Sequence, residues 1–156
     1  MQSPILWIHG EALGPANPAL QAYPDRPALF VFDAELLAGR SPTTGDPATT
    51  SQPVSLKRIG FLYECLLELP VSLRKGDVAT EVLAFARVHG ADGIVTSAGI
   101  DPRVAAICAA LEQELPVQVL EPQPFVELEE RVDLGRFSRY WRRAEREVWA
   151  DWSPQQ

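Results

Sequence analysis

Sulfur and imidazole are scarce in this chain of 156 residues, which holds two cysteines, one methionine and two histidines. Cys65 and Cys108 lie in apolar helical stretches, and no CxxC or Cys/His spacing accompanies them. That rules out a recognisable metal-ribbon signature and predicts two buried, reduced thiols and no metal site. Basic charge is also short, with 14 Lys and Arg against 21 Asp and Glu, a net charge of −7. Neutralising a phosphate backbone requires the opposite balance, so direct nucleic-acid binding is not expected. The cluster Arg139, Arg142, Arg143 and Arg146 does not change this, because Glu145 and Glu147 sit within it. No apolar run approaches the roughly 20 residues that span a bilayer, and no secretory leader pattern opens the chain. A cytoplasmic protein without membrane contact is therefore expected.

Nucleotide and nucleophile signatures are missing as well. There is no GxxxxGK[ST] and no GxSxG, and Gly10 and Gly14 are too far apart for a GxGxxG fingerprint.

What the sequence does contain is an alternation of short apolar runs with longer helical patterns. Its 46% apolar and 22% charged residues are those of an ordinary globular chain, long enough for one domain with a core of its own. Strands are predicted over residues 5–9, 28–33, 71–74, 93–97 and 117–120. Each is rich in Ile, Val, Leu or Phe without strict alternation, as expected of strands covered on both faces. Between them, Ile59, Leu62, Tyr63, Leu66 and Leu69 recur at helical spacing, and Asp77 and Gly90 bracket a second helix. Asp101-Pro102 opens a third with a cap and a proline at the first position, and Val104, Ile107, Cys108, Leu111 and Leu115 face inward. This rhythm predicts an α/β fold: a three-layer Rossmann-like sandwich around a five-stranded parallel sheet, followed by a C-terminal helix. Residues 38–55, rich in Pro, Thr, Ser and Gly, read as a mobile surface loop within a single domain over 1–156.

In such sheets ligands bind beyond the carboxyl ends of the strands, where strand order reverses. Three segments are expected to converge there: His9–Gly14, Arg74–Asp77 and Thr96–Asp101. The candidate ligand-binding residues are His9, Gly10, Glu11, Ser97 and Gly99. "TSAGID" offers small residues before a helix start, which suits a polar ligand but also any strand-to-helix turn. His9 either contacts a ligand or is a hydrogen-bonded structural residue; no carboxylate or nucleophile accompanies it locally. His89 is explained by its place at a helix C-terminus. In residues 121–156 a second candidate surface emerges. Phe137, Trp141, Ala144, Val148 and Trp152 form one helical stripe, and Trp149 adds a further aromatic. This is either a terminal helix docked on the domain or an interface for another one.

Several segments in order give the chain a family likeness. Trp7 with "NPAL" at 17–20, "ALFVFD" at 28–33, "SLKRIGFLYECLLEL" at 55–69, "VSLRKGDVATEVL" at 71–83 and "FSRYWRRAERE" at 137–147 resemble the N-terminal α/β domain of DNA photolyases and cryptochromes. The likeness spans nearly the whole chain. It departs at "HGEAL" (9–13), where the family has an Arg- and Asp-rich stretch, and at "TSAGIDP" (96–102), where the family turn is aromatic and charged. The resemblance implies an antenna-type domain that can hold a folate- or flavin-type chromophore. It also implies that FAD and the repair chemistry belong to a separate helical domain, so FAD and autonomous lyase activity are not expected here. Three functions remain open. The chain is a non-enzymatic module for a small chromophore- or nucleotide-like ligand, with no catalytic residues assigned. Alternatively it is an interaction module, forming a homodimer or docking a helical partner through Phe137, Trp141, Trp149 and Trp152. The third is one half of a split photolyase completed by a separate FAD-binding chain.

Overall fold

Five short runs do form one parallel sheet. In the computed structural model, which describes residues 1–39, 53–124, 126 and 135–150, the strands are β1 (Ile5–Ile8), β2 (Ala28–Asp33), β3 (Ser72–Gly76), β4 (Ile94–Ser97) and β5 (Val117–Leu120). The helices between and after them are α1 (Pro18–Ala22), α2 (Ala34–Leu37), α3 (Leu56–Leu67), α4 (Val78–Val88), α5 (Pro102–Leu111) and α6 (Phe137–Ala150). The spatial order is β3-β2-β1-β4-β5, every pairing is parallel, and Trp7 registers with Leu29 on one side and Thr96 on the other. This is a Rossmann-like α/β fold.

Alternation along β1 explains the layers. Ile5 and Trp7 enter a core with Val78, Val82, Phe85, Cys108 and Leu111 from α4 and α5. Leu6 and Ile8 point the other way, into a core with Ala19, Leu20 and Leu66 from α1 and α3. All four β1 residues are buried, so the strand has no polar face, as a central parallel strand requires. On α4 the buried set Val78, Val82, Phe85 and Ala86 follows the helical repeat. Val78, Val82 and Phe85 each contribute about 1.5–3 kcal/mol by leaving water.

Caps fix the helix ends largely where the sequence suggests. The Asp77 carboxylate accepts the Thr80 N–H at 2.9 Å, and Gly90 follows α4 in the left-handed region at φ 59°. His89 caps α4, its ring 4.3 Å from that of Phe85. Asp101 caps α5, with Pro102 at its first turn.

Three expectations are corrected. Tyr63 is 48% exposed, because it lies on the flank of α3 shared with Leu56 and Leu67 and away from the buried Leu66. Cys65 is half-buried, whereas Cys108 is buried, and burial with the nearby Glu112 carboxylate raises its thiol pKa. The third strand starts one residue later and runs to Gly76, since an edge strand with little burial announces its bounds weakly. Leu115 does face inward as expected, packing on the core from beyond the end of α5. Residues 40–52 of the predicted 38–55 loop, and Trp152, lie outside the described residues.

The described residues divide into two compact units, Met1–Pro122 and Gln123–Gln156. The first carries the sheet. In the second, α6 presents Phe137 stacked on Trp141 with ring centroids 5.9 Å apart.

The chain start is tied to the loop before β4. The Asp92 carboxylate accepts the Gln2 N–H at 2.6 Å and the Ser3 N–H at 2.9 Å. Those two donors, Gln2 first, hold its pKa below the ordinary 3.8. A carboxylate with a depressed folded pKa stabilises above its unfolded value and loses that effect as pH falls through the folded one. The Gln2 and Ser3 amide resonances should therefore titrate together with a midpoint below 3.8, and Asp92→Ala should abolish that transition. A midpoint at or above the ordinary value would show that the tie is absent in solution.

Candidate ligand-binding crevice

Strand order reverses between β1 and β4. The chain leaves β1 toward α1 on one face and leaves β4 toward α5 on the other, which opens a crevice at their carboxyl ends. Two residues close its base. His9 follows β1 and Ser97 ends β4, and both are buried. His9 Nε2 lies 2.9 Å from the Ser97 carbonyl oxygen and 3.1 Å from Ser97 Oγ. The Glu11 N–H donates to His9 Nδ1 at 3.4 Å. With Nδ1 accepting, the ring proton sits on Nε2 and is donated to Ser97. Just below, Thr96 Oγ1 donates to the Trp7 carbonyl at 2.8 Å. The ends of β1 and β4 are thus joined by side chains where the ladder stops.

The loop after His9 is folded by its own polar groups. Asn17 Nδ2 donates to the Ala12 carbonyl at 2.8 Å, while its Oδ1 accepts from the Ala19 and Leu20 N–H groups at 2.9 and 3.2 Å. Asn17 is buried and caps α1, so "NPAL" is a structural corner. Glu11 reaches across the crevice, its Oε2 accepting the Asp101 N–H at 3.3 Å at the start of α5. Gly99 makes this approach possible: a Cβ there would overlap the Glu11 carboxylate.

Beside these groups lies a cavity of about 190 Å³. Its apolar walls come from Trp7, Phe30, Val31 and Phe32 of the sheet, Leu36 and Leu37 of α2, Leu62 of α3, Val78 of α4, and Val104 and Ile107 of α5. His9, Gly10, Glu11, Asp33, Arg58, Asp101 and Arg103 supply its polar edge. Arg103 donates to the Asp33 carboxylate, and both side chains are only 14% exposed. The other Asp33 oxygen caps α2 by accepting the Glu35 and Leu36 N–H groups at 2.8 and 3.1 Å. The Asp33–Arg103 pair also lines a groove of about 260 Å³ between α4 and α5, with Asp77 and Ala106.

Of the five candidate ligand residues, His9, Gly10 and Glu11 line the cavity. Ser97 lies beneath it as the partner of His9, and Gly99 backs Glu11. The Arg74–Asp77 segment does not join them, because β3 is the edge strand, two places from β4's neighbour β1. There Arg74 pairs with Glu81 at 3.2 Å and sits over the Phe85 ring. Sequence reasoning passed over Asp33 and Arg103, 70 residues apart. The signal was present in one of them: Asp33 ends "ALFVFD", at the carboxyl end of the strand beside β1.

The arrangement suits binding better than covalent chemistry. Ser97 and His9 are at the distance of a nucleophile and its base, but Ser97 is 0% exposed and both His9 nitrogens are engaged within the protein. Among the described residues no group of three or more His, Cys, Asp or Glu side chains could hold a metal ion. None of the described helices is long and apolar enough to cross a membrane. In comparisons with known proteins, no family model and no curated protein matches the chain.

The ion pair makes a testable energetic claim. Asp33→Asn keeps the α2 cap acceptor but strands the Arg103 charge in a site where it is little exposed. Urea unfolding of Asp33→Asn, Arg103→Met and the double variant should give a coupling of about 1–2 kcal/mol between the two sites. Additive losses would mean that the two charges do not interact in solution.

Proposed function

We propose that this chain is a small-ligand-binding α/β module, non-enzymatic by itself, that takes an aromatic or nucleotide-like molecule in the crevice beside β1 and β4. The single observation that carries the reading is the cavity, with an aromatic and aliphatic lining and convergent polar groups along one edge. It lies at the carboxyl ends of β1 and β2, closed by the start of α5 that follows β4, and thus flanks the strand-order reversal where sheets of this topology hold ligands. The resemblance to the antenna domain of photolyases and cryptochromes fits the same reading, with a chromophore-like heterocycle as the occupant.

The test is thermal unfolding of the purified protein with 1 mM adenosine or riboflavin. A ligand present at about ten times its Kd adds about 1.4 kcal/mol, which raises Tm by roughly 3–5 °C for a domain of this size. At least one of the two should do so. Val104→Trp, which fills the cavity from the α5 wall, should cancel the rise. Unchanged Tm values, together with a featureless spectrum above 300 nm for the protein as isolated, would remove the proposal.

A second reading concerns α6, which exposes 72% of Phe137 and 48% of Trp149. Exposed aromatics with Arg nearby are typical of interface centres, so we propose that this helix pairs with a second copy or with a helical partner. Light scattering should give twice the 17.2 kDa chain mass for self-association, and Phe137→Ser with Trp149→Ser should return it to one chain mass. A wild-type monomer sinks the homodimer form.

A further inference from the structure

The phosphate-binding positions of a doubly wound sheet are the helix starts that follow its switch-point strands, because their N–H groups are unpaired. In this chain those donors are already used. After β1, Asn17 Oδ1 takes the Ala19 and Leu20 N–H groups, and Pro18 has no N–H to give. After β4, Glu11 Oε2 takes the Asp101 N–H, Asp101 Oδ1 takes the Arg103 N–H at 2.9 Å, and Pro102 again has none. The Val104 N–H closes onto the Asp101 carbonyl at 2.9 Å. The charges at the cavity edge point the same way. Glu11, Asp33 and Asp101 supply three carboxylates against two guanidinium groups, Arg58 and Arg103, and that of Arg103 is committed to Asp33.

Size narrows the occupant further. A cavity of about 150 Å³ in an apolar core holds one benzene ring. The 190 Å³ here encloses one or two fused rings, with the rest of a longer molecule outside. We infer that the crevice selects a planar heterocycle without a phosphate group, and that Glu11, by placing its carboxylate at the start of α5, is the residue that excludes the phosphorylated form. This rests on the crevice reading above and names its ligand class.

Gly99 supports the assignment, since the absence of a side chain there is what lets Glu11 occupy the position. Glu11→Gln is the informative change. It keeps an oxygen to accept the Asp101 N–H while removing the negative charge, and Glu11 is exposed, so folding is not at stake.

The experiment compares three pairs of probes that differ by one phosphate: adenosine with AMP, riboflavin with FMN, and pyridoxal with pyridoxal 5′-phosphate. Dissociation constants are measured by calorimetry on the full chain and on Glu11→Gln. For at least one pair the phosphate-free member should bind the wild type about tenfold or more tightly, since like charges brought together at a binding site are strongly disfavoured. Glu11→Gln should shrink that ratio several-fold by improving the phosphorylated member more than its counterpart. A wild type that binds the phosphorylated members as well as their counterparts overturns the inference while the crevice reading stands. So does a ratio that Glu11→Gln leaves unaltered. No binding of any probe to either protein overturns both.

Discussion

The crevice is built on a joint between two parallel strands. Where the β1–β4 ladder ends, the His9 imidazole takes over, its Nε2 placed against both the carbonyl and the hydroxyl of Ser97. That contact holds together the two strands from which the chain departs to opposite faces, so the end of the crevice at β1 has a fixed base. Its other nitrogen accepts the Glu11 N–H, so both ring nitrogens are engaged within the protein. The histidine that most invites a catalytic reading is here a strut.

From that base the polar groups work mostly on the protein itself. Asn17 caps α1 and ties down the loop, Asp33 caps α2 and holds Arg103, and Glu11 closes the start of α5. A fold that usually offers open N–H groups to an anion has satisfied them internally. What is left for a ligand is chiefly apolar surface: Trp7, Phe30 and Phe32 from the sheet, with Val104 and Ile107 from α5. In the binding mode proposed above, shape and stacking carry affinity and the polar edge sets orientation.

The sheet was legible in the sequence because its central strands are uninterrupted apolar runs and its helices carry strong end signals. Asp77, Gly90 and Asp101-Pro102 each did locally what their residue type favours. The site was legible only in part. His9 and Glu11 follow a strand end and could be placed by topology alone. The Asp33–Arg103 pair bridges 70 residues, and no local pattern reports a contact of that range. The short helices α1 and α2, of five and four residues, have no periodicity to read. A capping asparagine and a ligand-contacting one share a sequence signature, and Asn17 is a cap. Tyr63 was misassigned for a similar reason, since helical spacing marks a face but not its margin.

The resemblance to photolyase antenna domains and the crevice geometry concern the same residues: Trp7 stands in the cavity wall, and the divergent "HGEAL" stretch contains the three candidate residues that line its edge. The most direct measurement is an amide chemical-shift map of the isotopically labelled protein titrated with adenosine or riboflavin. Ligand in the crevice should move the resonances of His9 to Ala12, Asp33 to Leu37 and Arg103 to Ile107. Shifts confined to α6, or to the outer flank of α3, would contradict it.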